Sequence, residues 1–297
     1  MSDTDNCLPL RATEDHWASP EQVVFARLCF TYLLISPSYE LARKHRVGAL
    51  SDADRAKLPA DIDVVLGVYD MLGDVKQTVF RDWWRDRGIA AFGNEGARPM
   101  VHPIDAIWPR KAEMVERLEK GMVEYLGGRF SQQDPQACLI VAIPLLLAKS
   151  EITDQVKTLI DEMPPAFKTT PQRTPLYPLY GQKRDLSGLI RYIKCAMCKS
   201  DDPDLKLWEV GVLAGLSTTY SARLAMGKGT TEDQQSLKML ASRALNRAAT
   251  IAENAARGLF PTYEKCEHAM KPDWVGMQNP FSDNEGWSDG LNEYDDL

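Results

Sequence analysis

The sequence predicts a mostly helical α+β protein, and three observations carry that expectation. Apolar residues recur at helical spacing through most of the chain, as at Val24, Phe25, Leu28, Tyr32 and Leu33. Start and stop residues flank these stretches: Ser, Thr or Asp in front, Gly behind. Only two short segments, one Pro-bounded and one rich in branched residues, read as strands.

Taken in order, PEQVVFARLCFTYLLISPSYELARKH opens with Pro20 and Glu21 after Ser19, and Ser36-Pro37-Ser38 interrupts and recaps it. DIDVVLGVYDMLGDV and VFRDWWRDRGIAAFG continue the helical theme, the first broken by Gly73 and the second closed by Gly93. In the second, Trp83 and Trp84 cannot both face one side of a helix, so one is expected to pack inward and the other to lie part-covered by long charged side chains. PMVHPIDAIW fits an edge strand, where proline is tolerated. Lys111 to Leu126 is a helix stopped by Gly127-Gly128, and ACLIVAIPLLLAK followed by SEITDQVKTLIDEM reads as strand then helix. MPPAFKTTPQRTPLYPLYG, with five prolines, reads as a stiff spacer, its loose PxxP spacing also allowing a polyproline ligand. Asp185 to Lys199 is an amphipathic helix. TTEDQQSLKMLASRALNRAATIAENAARG is the clearest helix of all, capped by Thr230 or Thr231, lined by Leu237, Leu240, Ala241, Ala244, Ala248, Ile251 and Ala255, and ended by Gly258.

At 297 residues the chain exceeds the roughly 100–200 of a single domain, so two cooperating units are expected. The boundaries are an N-terminal α+β unit over 1–163, a Pro-rich linker over 164–182, a helical unit over 183–265 and an acidic tail over 266–297. The tail, spacing Trp274, Phe281, Trp287 and Tyr294 among carboxylates, buries too little apolar surface to order itself. A docking segment, or a cover for a basic surface within the same molecule, is the other reading of that composition. With 44% hydrophobic and 26% charged residues the composition is that of a globular protein, not of a disordered or fibrous one. The first residues lack a basic segment followed by an apolar one, and no apolar run reaches the roughly 18–20 residues of a membrane span. A cytoplasmic protein with no membrane partner is therefore expected. The six cysteines are sparse and suggest reduced thiols without a disulfide framework.

Charge is unevenly placed. The net charge of −7 divides into about −6 for Met1–Met163, about +6 for Pro164–Lys265 and about −7 for Cys266–Leu297. The basic segment contains VGVLAGLSTTYSARLAMGKG, residues Val210 to Gly229. Gly215 suits a corner needing positive φ, and Gly211, four residues earlier, suits a close helix approach. Val210, Ala214, Leu216 and Leu224 would hold the two helices to a core, and Ser217 would cap a second helix over 217–226. The stretch from about Leu205 to Gly229 resembles the helix-turn-helix of the phage-repressor-like family in its Ala-Gly-Leu-Ser run, its following Thr and Tyr, and its Arg-Leu before a glycine. It departs at Ser221, where that family places a β-branched apolar residue facing the core; serine there leaves a hole or an unpaired hydroxyl. Flanking stretches are similar to uncharacterised proteins of bacterial mobile elements.

The resemblance implies a regulatory, sequence-specific double-stranded DNA-binding protein. Ser217, Thr218 and Thr219 would meet phosphates or base edges at the start of the reading helix, Tyr220, Arg223 and Lys228 would add contacts, and Lys206, Lys238, Arg243 and Arg247 would supply a basic surface. The N-terminal unit would serve as a homodimer or protein contact. The alternative is a non-catalytic adaptor or scaffold that binds partners through helical surfaces and the acidic aromatic tail.

Other chemistry has thinner support. Cys195-x-x-Cys198 could be completed as a zinc site by Cys266 and His268, although Cys195 also fits a core-facing helical position. His102 and Asp105 could together polarise a water. GxxxxGK followed by Ser or Thr, GxGxxG and GxSxG do not occur, so no cofactor and no enzymatic role are expected.

Overall fold

A computed structural model describes residues 16–96, 98, 100–106, 113–128, 130, 137–164, 175–181 and 185–274. The described chain is mostly helical and forms two compact units. The larger takes its described residues from Ala18–Gly93 and 175–274, the smaller from 16–17 and 94–164. No described helix is long and apolar enough to cross a membrane.

In the larger unit, α1 (Pro20–Leu34) starts on a reciprocal cap: the Ser19 hydroxyl accepts from the Gln22 N–H at 3.2 Å, and the Gln22 carboxamide accepts from the Ser19 N–H at 2.8 Å. Ser36 caps α2 (Pro37–Arg46) at the interruption seen in the sequence. A single turn, α3 (Asp52–Arg55), leads to α4 (Ile62–Leu72), which Gly73 ends at φ +75°. Next, α5 (Phe80–Trp83) passes through a π-turn, Trp84–Gly88, into α6 (Ile89–Phe92). Trp83 points inward, its indole N–H donating to Leu72 O at 2.7 Å and its ring meeting Phe30 and Phe92. Trp84 is half-buried against Phe80.

The helices from the far end of the chain share this core. In chain order they follow two described helices of the smaller unit, α7 (Met114–Gly127) and α8 (Lys149–Glu162). They are α9 (Leu186–Asp201), α10 (Leu207–Leu213), α11 (Thr218–Ala225) and α12 (Thr231–Ala255). Phe30, Tyr32, Leu72, Ile193, Val210 and Ile251 lie in one apolar cluster. Tyr32 Oη donates to Leu189 O at 2.8 Å, and Tyr177 Oη to Ala255 O at 2.7 Å.

This arrangement corrects the expected domain boundaries. Residues 1–163 and 183–265 do not have separate cores, because α12 presents a stripe of buried alanines, Ala241, Ala244, Ala248, Ala252 and Ala255, against which larger side chains from α1 can close. The end of the Pro-rich stretch is likewise part of the core: Tyr177 is buried against Phe92, with its N–H on Ala91 O. Residues 165–174 of that stretch lie outside the described residues.

A charged network closes the core where the start of α2 meets the end of the last described helix. Glu253 is fully buried and accepts from the Ser36 hydroxyl (2.7 Å), the Ser38 N–H (3.1 Å) and hydroxyl (2.5 Å), and the Met270 N–H (3.0 Å). Arg257 pairs with Glu253 at 3.0 Å, chelates Asp61 at 2.7 and 3.0 Å, and donates to His268 O. Asn254 donates to the carbonyls of Thr262 and Glu264. The expected disordered tail is thus corrected for 266–274, which are held by these bonds and by Trp274 packed on the core. Residues 275–297 lie outside the described residues.

The smaller unit has a two-residue antiparallel ribbon, β1 (His16–Trp17) on β2 (Asn94–Glu95), pairing His16 with Glu95 and Trp17 with Asn94. No residue of α7 or α8 is buried. The described parts of the two predicted strands, 100–106 and 137–148, are not strands. Branched residues favour an extended chain, but a strand needs a paired neighbour, and Pro144 removes a donor from the second segment. His102 and Asp105 are committed separately: His102 stacks on Tyr125, and Asp105 binds Arg117 at 2.6 Å.

Candidate nucleic-acid interface

The corner between α10 and α11 follows from its glycines. At the end of α10 the Leu216 N–H bonds Gly211 O (3.0 Å) and the Gly215 N–H bonds Val212 O (3.1 Å), a closure that requires the left-handed conformation Gly215 adopts at φ +64°. Gly211 is buried against α12; a Cβ there would stand 3.1 Å from Leu237 O and 3.3 Å from the Leu237 side chain. Val210 and Ala214 are buried, and Leu216 packs on the core.

A Ser217 cap and a second glycine closure bound α11. Ser217 Oγ accepts from the Tyr220 N–H, while the Gly227 N–H bonds Leu224 O and the Lys228 N–H bonds Arg223 O. Leu224 fills the space beside Gly229. No residue of α11 is buried. Thr218, Thr219, Arg223 and Lys228 are exposed, whereas Ser217 and Tyr220 are half-buried. The Ser221 hydroxyl is buried without a hydrogen-bond partner, the condition expected of a serine at that position.

Arg223 is not uncommitted. Its guanidinium is 3.2 Å from the Asp233 carboxylate, which also accepts from the Thr230 N–H in the box that caps α12. The Thr230 backbone N–H first, and the Arg223 guanidinium after it, hold the Asp233 carboxyl below the usual carboxylate range. Arg223 thereby ties α11 to the first turn of α12 while its side chain remains 55% exposed.

Of the remaining predicted cations, Lys238, Arg243 and Arg247 lie on α12. They line an open groove of about 510 Å³ together with Leu207, Gln235 and Met239, and among the described residues no carboxylate lines it. Among the described residues neither Lys238 nor Arg243 has an ion-pair partner. Arg247 donates to Tyr192 Oη, and its guanidinium lies 4.8 Å from the centre of the Tyr263 ring. Sequence reasoning found these cations but missed the tyrosines around Arg247 and the apolar members Leu207 and Met239. The only sequence signal for Met239 was its position off the alanine stripe. Lys206 lies outside the groove lining, its N–H bonded to Glu209.

The zinc candidates are not brought together as a site. Cys195 is buried, with its thiol pushed up to about 12 by burial, Cys198 follows one turn later, and His268 is exposed. Among the described residues no group of three or more His, Cys, Asp or Glu side chains is arranged to hold a metal.

No protein-family model, curated protein or solved structure matches the chain.

Proposed function

We propose that this is a cytoplasmic, regulatory protein of bacterial or mobile-element type that binds double-stranded DNA sequence-specifically, with α10 and α11 acting as a helix-turn-helix and α11 as the reading helix. The observation that carries the reading is the exposed face of Thr218, Thr219 and Arg223 on a helix fixed by the Ser217 cap at its start and a glycine closure at its end. Short hydroxyl side chains and a guanidinium suit base edges and phosphates, and a rigid two-turn helix presents them at low entropic cost. The α12 cations add a phosphate-binding surface that carries no sequence information.

A mobility shift with mixed duplex DNA tests the proposal. Binding is expected at low salt and should weaken steeply as salt rises, because cations that neutralise phosphates release counterions. Complete loss of binding at every salt concentration would favour the second reading, a non-catalytic adaptor. That reading draws on the smaller unit, where Val101, Leu145 and Leu146 are almost fully exposed.

A further inference from the structure

The groove on α12 has a counterpart in the chain's own sequence. We infer that residues 275–297 seat on this groove and compete there with nucleic acid, an inference that rests on the DNA reading for its consequence but not for the contact itself. Three features of the groove ask for an acidic occupant with aromatic side chains. Lys238, Arg243 and Arg247 face it, with no carboxylate among the described lining residues. Lys238 and Arg243 have no ion-pair partner among the described residues. Leu207 and the 57% exposed Met239 add apolar surface to the same lining.

Residues 275–297 carry Asp283, Glu285, Asp289, Glu293, Asp295 and Asp296, with no Lys or Arg, and intersperse Phe281, Trp287 and Tyr294. Their point of departure fits. The segment leading to Trp274 is bonded to the end of α12 through Asn254, Arg257 and Glu253, and its Tyr263 ring already lies on Arg247 at the groove. The lining runs from Gln235 to Thr250, about 23 Å of helix. The 23 residues after Trp274 can extend to roughly 75 Å, so reach is not limiting. Opposite charges held on one chain meet at high effective concentration, which makes modest pairwise attraction sufficient.

Zero-length carbodiimide cross-linking of the full chain, read by peptide mass spectrometry, tests the contact. At low salt Lys238 should form amide links to carboxylates of 283–296 at several-fold the yield of the exposed Lys228. Arg243→Gln should lower that yield several-fold, and about 0.5 M salt should abolish it. Equal yields at Lys238 and Lys228, or links insensitive to salt, would overturn the inference, as would links formed mainly between isotopically light and heavy chains. In parallel, a variant with all six carboxylates changed to Asn or Gln should bind mixed DNA about tenfold more tightly at low salt. Cross-links in a chain that binds no DNA in either form would leave the seat standing and remove the DNA reading. DNA binding without the cross-links would remove the seat alone.

Discussion

Ser221 is the residue on which the candidate site is least well made. Its hydroxyl is buried without a partner on a helix that buries nothing else. An unsatisfied buried polar group costs about 1–3 kcal/mol, and alanine also has the higher helix propensity. Ser221→Ala should therefore raise stability by about 1 kcal/mol, seen as a higher denaturant midpoint at unchanged slope. A lower midpoint would mean that the hydroxyl is satisfied in solution. This defect was an expectation of the resemblance to the phage-repressor-like family, which places a β-branched apolar residue facing the core at that position. The Arg223 ion pair was not legible. Arg223 and Asp233 stand ten residues apart across Gly227 and Gly229, and only the tertiary path of that corner brings them to 3.2 Å.

At the scale of elements, α10 and α11 depend on how closely α10 approaches α12. Gly211 sets that distance, since any side chain there meets the Leu237 backbone carbonyl as well as its side chain. Gly211→Leu should cost about 2 kcal/mol by overpacking, against the gain in helix propensity. An unchanged thermal transition would show that the two helices can separate without penalty. The helix ends at Ser19, Ser36, Ser217, Thr230 and Gly215 were readable because caps are local chemistry that acts within a few residues. Strands were misread for the opposite reason. Ala137 to Lys149 has strand-forming residues, but pairing depends on a partner that composition does not reveal.

For the whole molecule, the decisive feature is the network in which Glu253 and Arg257 join the start of α2, Asp61 and residues 262–270. It makes one core of segments that the sequence alone divides, since contacts such as Ser36 with Glu253 span more than 200 residues and leave no periodic trace. Glu253→Gln keeps the shape but leaves Arg257 buried with one partner fewer. It should cost about 3 kcal/mol, measured by chemical denaturation. The Arg257 guanidinium also holds the Asp61 carboxyl below its ordinary value. A carboxyl lowered in the folded state contributes stability above the ordinary carboxylate range and loses it as pH falls through the folded value. Stability should accordingly decline below about pH 4, less steeply in Asp61→Asn. Equal slopes would exclude Asp61 from the acid transition.

The DNA reading is tested most directly by the specificity ratio, the affinity for a duplex selected from a random pool divided by that for its scrambled sequence. For the unaltered protein the ratio should exceed about 10³. Thr219→Ala or Arg223→Ala should lower it by roughly 1–3 kcal/mol each while leaving binding to scrambled DNA much less affected. A ratio near one for the unaltered protein, or a high ratio that neither substitution changes, would contradict the assignment of α11 as the element that reads DNA.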